Sequence, residues 1–312
     1  MLTDAITCWC ATHVIPEGEG VKADLMNNGI THKPLRILGY GNVRGIDMER
    51  FSVLSVERSK EFSVLSVECS KECSVLSVEC SGQNSKLKTF TFLFVGRIVR
   101  DKGINELVEA FCRLNSEKPE TRLVLVGFYE QNLDPVSEET HRMIEENPNI
   151  IMAGERTGDD LVRSYAEADC FVFPSYREGF PNTVLEAGAM GLPCIVTDIN
   201  GSREIITDIF SHAEKQTNTN ITNTTNDNLT HTERDKTTDD TDSHGKLKTK
   251  TNGIIIPPKD AEALYEAMKM MVTDDNMREA MAKNARPMIE SRFEQGFVRK
   301  CLYDFYEDIL DS

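Results

Sequence analysis

Short apolar runs alternate with helix-like periodicity through the chain from residue 90 onward. The runs predict strands over 90–95 (Phe-Thr-Phe-Leu-Phe-Val), 123–126, 150–152, 170–173, 195–197 and 254–256. Apolar residues at helical spacing predict helices over 104–115, 136–147, 158–168 and 183–190, then 260–272, 275–289 and 294–310. Brief apolar runs bounded by turn residues suit strands buried on both faces. Strands alternating with helices imply a parallel sheet covered on both sides, a doubly wound α/β domain. Such a domain binds ligands at the carboxyl ends of its strands.

Two segments break the pattern. Residues 51–83 hold three near-identical eleven-residue units, beginning at Phe51, Phe62 and Cys73. Their Ser-Val-Leu-Ser-Val core alternates, which favours a strand or a disordered loop, and three short copies are too few for a solenoid. Residues 211–252 are rich in Thr, Asn, Asp and Lys with few large apolar side chains. Such a stretch buries too little surface to offset its ordering entropy, so a disordered insertion is expected. The first fifty residues offer a helix-like stretch (18–28), a short strand (Leu35–Leu38) and a glycine-rich turn over 39–47. The expected organisation is therefore 1–50 as the end of a larger domain, 51–83 as a repeat, and 84–312 as the α/β domain with an insertion at 211–252.

Composition narrows the possibilities. A net charge of -16 argues against nucleic acid as a partner. Nine cysteines without paired CxxC spacing suggest reduced thiols and a cytoplasmic setting. The start resembles no secretory signal, and no stretch is apolar enough to span a bilayer.

Candidate chemistry falls at two strand ends. After strand 90–95 come Gly96 and Arg97, and Asp101-Lys102-Gly103 opens the next helix. A glycine admits a close ligand, and cations beside a helix start can clamp a diphosphate. The same pair taken alone also suits an ordinary solvated surface. After strand 170–173 comes Glu178-Gly-Phe-Pro-Asn-Thr-Val-Leu-Glu186. Glu178 falls in the loop and Glu186 one turn into the helix, while the amides of Asn182, Thr183 and Val184 head that helix. Two carboxylates can accept from sugar hydroxyls while the amides take an anion. Acidic residues there can equally serve the helix dipole.

Taken together these motifs resemble the retaining family-4 glycosyltransferases of GT-B fold. The resemblance rests on Val95-Gly96-Arg97, Asp101-Lys102-Gly103, Val126-Gly127, the Glu178/Glu186 pair, Gly191 to Cys194, Asn200 to Glu204 and Asn252 to Pro258. It covers about residues 14–51 and 88–312, less the insertion. It implies that Arg97, Lys102 and Glu178 are catalytic: the cations neutralise the donor diphosphate and Glu178 meets hydroxyls of the transferred sugar. It implies that Glu186 holds the ribose, and that Gly96, Gly127, Phe180, Asn182, Thr183 and Val184 line the donor site. The implied donor is a UDP- or GDP-linked sugar, with no cofactor and no metal. The implied reaction is retaining hexosyl transfer to a glycan or lipid-linked acceptor in polysaccharide biosynthesis.

Departures accompany the resemblance. The family carries a whole acceptor-binding α/β domain upstream, of which this chain resembles only the end, through Val14 to Leu25 and the turn Gly41 to Asp47. Peripheral association with the inner face of a membrane would run through that domain. The C-terminal helix is then expected to have little to cover, leaving Phe297, Leu302 and Tyr306 exposed or paired with another chain. Two further readings follow: a non-catalytic nucleotide-sugar-binding remnant, and an interaction module built on the repeat.

Overall fold

The computed structural model describes residues 2–52, 89–130, 133–206 and 251–311. Six strands form one parallel sheet: β1 (Phe90–Val95), β2 (Thr121–Val126), β3 (Ile150–Gly154), β4 (Cys170–Phe173), β5 (Cys194–Thr197) and β6 (Gly253–Ile256). Their spatial order is β3-β2-β1-β4-β5-β6. The chain runs outward from β1 to β3, then restarts beside β1 with β4 and runs the other way. Phe92 is in register with Leu123 of β2 on one side and Cys170 of β4 on the other. The reversal leaves a crevice at the carboxyl ends of β1 and β4, where open α/β sheets bind ligands.

The helices follow from the apolar spacing. Helix α3 (Ile104–Glu117) buries Ile104, Leu107, Val108, Phe111 and Leu114, one stripe at 3.6-residue period. Helices α4 (Glu138–Glu146) and α5 (Gly158–Ala166) follow β2 and β3. Helix α6 (Asn182–Ala189) follows β4, and the short α7 (Ser202–Ile205) follows β5. Helices α8 (Ala261–Thr273), α9 (Asp275–Phe293) and α10 (Gln295–Leu310) close the chain. Gly188 of α6 lies so close to Ile289 of α9 that a Cβ would stand 2.6 Å from Ile289 Cγ1. The core joins both faces, with Phe92, Leu93, Phe94, Phe171 and Val172 fully buried between the helix layers.

Strand ends are laced tightly. Gly96 N–H donates to Val126 O at 2.9 Å, and Gly127 N–H donates to Gly154 O at 2.8 Å. Gly127 adopts φ +143°, and a Cβ there would fall 1.8 Å from Gly96 O. Gly127→Ala must therefore push β1 and β2 apart at their ends. We expect it to cost about 3 kcal/mol, the sum of overpacking and backbone strain. A urea midpoint within experimental error of the parent would refute this account of the glycine.

The amino-terminal residues pack on the domain rather than beside it. They contain α1 (Leu2–Cys10) and α2 (Glu19–Asn27). Ile46 N–H donates to Phe293 O at 2.8 Å, and Gln295 N–H donates to Ile46 O at 3.0 Å. Arg286 of α9 donates to the carbonyls of Met48 (2.9 Å), Phe51 (2.6 Å) and Ala189 (2.5 Å). Helix α10 thus has a surface to cover, contrary to expectation. Phe305 meets the ring of His13 edge-on and the guanidinium of Arg36, and Phe297 packs on Gly39 and Tyr40. Leu302 is half-buried, while Phe297 and Tyr306 stay exposed, as expected.

One expected strand is absent. Among the described residues Leu35–Leu38 makes a single bridge, Val14 to Leu35, and no ladder. Leu38 is nevertheless buried, with Leu35 and Ile37 half-buried. The repeat lies outside the described residues apart from Phe51 and Ser52, and the Thr/Asn-rich segment apart from Thr251 and Asn252. Phe51 is buried and meets Tyr165 edge-to-face, while Thr251 and Asn252 are buried beside β6. These four residues belong to the folded domain.

Candidate functional site at the β1 and β4 strand ends

Close backbone approach assembles the site. After β1 the chain passes through Gly96 and Arg97 into a turn of 3-10 helix, Arg100–Lys102. Gly103 then takes φ +71°, and a Cβ there would lie 2.1 Å from Pro174 O. Only glycine lets the loop after β1 press against the loop after β4. Hydrogen bonds hold the two together: Tyr176 N–H donates to Asp101 O at 2.8 Å, and Ser175 Oγ–H donates to the same oxygen at 3.3 Å.

Lys102 and Glu178 meet across this junction. The ammonium donates to Glu178 Oε1 in a close ion pair. Ser175 Oγ lies 3.0 Å from the same carboxylate oxygen. Both side chains are largely sheltered, 15% and 18% exposed, so water screens the pair weakly. The ring of Phe173 lies 6.0 Å beneath the ammonium. Lys102 is therefore held in place by a carboxylate before any ligand arrives.

Arg97 turns to a different partner. Its guanidinium donates to Glu130 Oε2 at 2.9 Å and is half-exposed. Its charge is reinforced chiefly by that bond, then by the fields of Asp101 and Glu178. Arg97 is thus within the field of the Lys102 cluster, with its fork committed to Glu130.

Helix α6 supplies the second half. Pro181 precedes it in extended conformation, and Asn182 and Thr183 head the helix. The first amides of a helix lack intrahelical partners and carry its positive pole. Val184 departs from expectation: its N–H donates to Pro181 O at 3.2 Å and its side chain is fully buried. Val184 packs the core rather than lining a pocket. Phe180 is likewise buried by its ring, 5.5 Å from the ring of Phe293, leaving only its backbone available to a ligand. Gly96 and Gly127 serve the strand ends through the close approach described above.

Glu186 lies one turn into α6, mostly buried. Tyr165 of α5, itself fully buried, donates its hydroxyl to Glu186 Oε2 at 2.9 Å. Burial raises the Glu186 pKa from its ordinary value, opposed by the Tyr165 hydrogen bond and by the charges of Arg44 and Arg50. Burial also pushes the Tyr165 hydroxyl well up, aided by the Glu186 charge, so it remains a donor. A carboxylate so oriented offers its remaining lone pairs to neutral hydroxyls.

Tyr165, Ser175 and Asn42 are site residues that spacing did not reveal. Tyr165 sits three residues after buried Val162 and reads as core. Ser175 follows β4 with nothing to distinguish it from a turn serine. Asn42, 3.0 Å from Asn182 through its side chain, is distant in sequence. Among the described residues no group of three or more His, Cys, Asp or Glu side chains could hold a metal ion. The arrangement as a whole pairs cations and helix amides, which suit phosphate, with two carboxylates, which suit hydroxyls.

Comparison with known proteins finds similar chains among glycosyltransferases. Residues 81–231 match the family model described as Glycosyl transferases group 1. The chain is 24% identical over 310 residues to the capsular polysaccharide biosynthesis glycosyltransferase CapM of Staphylococcus aureus, covering 99% of this chain and 65% of that protein. It is 26% identical over 220 residues to the N,N'-diacetylbacillosaminyl-diphospho-undecaprenol alpha-1,3-N-acetylgalactosaminyltransferase of Campylobacter jejuni, covering 70% and 45%. Among solved structures, Anabaena HepE in complex with UDP superposes with a TM-score of 0.67 at 16% identity, covering 97% of this chain and 65% of that one. The chain thus spans about two thirds of CapM and HepE, and under half of the Campylobacter protein. Over residues 81–231 the chain is thus similar to group 1 glycosyl transferases, and its Rossmann-like parallel sheet has the fold of GT-B glycosyltransferase structures.

Proposed function

We propose, starting from the group 1 glycosyltransferase match over residues 81–231, that this chain binds a nucleoside-diphosphate sugar at the β1 and β4 strand ends. The reaction is transfer of the sugar, with retention of configuration as in family 4, to a glycan or lipid-linked acceptor. The observation that carries this reading is the sheltered Lys102–Glu178 pair at the sheet's reversal point, with Glu178 in the loop that leads into α6.

Each residue then has a task. Lys102 and Arg97 face the diphosphate, and Arg97 exchanges Glu130 for it. Their charge, with the α6 amides, stabilises the departing nucleoside diphosphate, the electrostatic work that a metal ion does in other transferases. Glu178 accepts from hydroxyls of the transferred sugar, and Glu186, oriented by Tyr165, accepts from the ribose hydroxyls. The donor is UDP- or GDP-linked. HepE holds UDP, and the Campylobacter relative is named for a diphospho-undecaprenol acceptor, which favours a lipid-linked acceptor here. Such an acceptor implies work at the cytoplasmic face of a membrane. No described helix is long and apolar enough to cross one.

The test is turnover. Purified chain is incubated with UDP- and GDP-sugars and an undecaprenyl-diphosphate-linked sugar. Transfer, or hydrolysis of one donor, is expected. Binding of the nucleotide with no turnover of any donor would replace this reading by a non-catalytic one.

A further inference from the structure

Asn42 lies in a turn that the chain presses against the head of α6. Asn42 is 2% exposed and its backbone takes φ +54°, a left-handed conformation that asparagine tolerates better than most residues. Asn42 N–H donates to Glu17 O at 2.9 Å. At the preceding Gly41 a Cβ would stand 2.3 Å from the same carbonyl and 3.2 Å from the Phe180 ring. The turn is therefore wedged between residue 17 and the entry to α6. The Ile46–Phe293 hydrogen bond and the Arg286 bonds to Met48 and Phe51 fix its far end to α9.

The carboxamide of Asn42 has one orientation. Its Oδ1 accepts from Arg44 N–H at 3.0 Å and Gly45 N–H at 2.8 Å. Nδ2 must then be the donor toward Asn182, whose Oδ1 lies 3.0 Å away. Asn182 is the first residue of α6. An asparagine at a helix start readily turns its own oxygen onto nearby amides, competing for them. Here that oxygen is drawn off by Asn42, and the amides behind it stay open.

We infer that Asn42 is a positioning residue of the nucleotide site: by holding the Asn182 side chain it keeps the α6 amides available to the donor's phosphates. The inference rests on the nucleotide-site reading above. Nothing in the role requires Asn42 to touch the donor. It makes the segment ahead of residue 52 part of the donor site's machinery, joined to it across 140 residues of sequence.

Asn42→Gly separates the side chain from the backbone, because glycine keeps the left-handed turn while losing the amide. UDP affinity, measured by calorimetry on the full chain, is expected to fall about tenfold. In an Asn182→Ala background, where no side-chain oxygen competes, Asn42→Gly is expected to have no further effect. Asn42→Asp, which keeps the acceptor and loses the donor, is expected to match Asn42→Gly and serves if the glycine variant folds poorly. UDP binding by both variants within twofold of the parent would overturn the inference. So would a loss that persists undiminished beside Asn182→Ala. A parent chain that binds neither UDP nor GDP would instead sink the nucleotide reading. The link is then read in the ligand-free protein by amide hydrogen exchange, where Asn42→Gly changes exchange in the first turn of α6, and unchanged exchange there overturns it.

Discussion

Lys102→Ala is expected to lower donor turnover by roughly 10²–10³-fold, the usual cost of removing one preorganised charge from a site where negative charge develops. The loss should fall mainly on kcat. A departing nucleoside diphosphate gains charge as the bond to the sugar breaks, so the cation acts more strongly on the transition state than on the bound donor. Removal of Lys102 also leaves Glu178 without its cation in a sheltered position. Part of the loss is then repulsion between that carboxylate and the diphosphate. Glu178→Gln added to Lys102→Ala should therefore recover donor binding relative to Lys102→Ala alone. A Lys102→Ala chain with parental kcat and KM would remove Lys102 from the site.

Glu186→Gln is expected to weaken UDP-sugar binding by ~2 kcal/mol, roughly 30-fold, because neutral oxygen accepts more weakly than carboxylate. The same change is expected to stabilise the fold at neutral pH. Burial raises the pKa of Glu186 above its unfolded value of 4.5, so the folded chain holds that proton more tightly. The group's contribution is therefore most favourable below the unfolded pKa. It declines as pH rises through the folded pKa and is flat beyond. Glutamine has no charge to bury and escapes this decline. The difference in Tm between Glu186→Gln and parent should be small below pH 4.5 and grow toward neutrality. Affinity should run the opposite way, since parental binding of a UDP-sugar strengthens as Glu186 ionises and that of the variant does not. A parent more stable than Glu186→Gln at neutral pH would mean that Arg44, Arg50 and Tyr165 outweigh the burial.

Much of the α/β domain was legible because its signals are local. Phe90–Val95 and Cys170–Phe173 are apolar runs between turn residues, and both strands match their predicted bounds. The Glu178–Glu186 interval placed one carboxylate in a loop and one on a helix, as observed. What escaped depends on tertiary contact. Leu35–Leu38 has strand composition but, among the described residues, meets only Val14 as a bridge partner. In helix Leu2–Cys10 the residues Leu2, Ile6 and Trp9 have helical spacing, but those side chains are exposed and mark no core-facing stripe. Val184 stands beside Asn182 and Thr183 in sequence, yet a tighter first turn consumes its amide. The site's supports were the least visible, because Tyr165 and Asn42 act through residues 21 and 140 positions away. Residues 14–51 read as a leftover end because nothing in their own pattern announces the carbonyls that Arg286 gathers.

The central claim is a nucleotide site built from the Lys102–Glu178 junction and the head of α6. Calorimetric titration of UDP into the parent chain, Lys102→Ala and Glu186→Gln tests it most directly. Saturable binding at one site per chain is expected, weakened in each variant. No binding of UDP or of GDP by the parent, or binding that neither substitution alters, would contradict it.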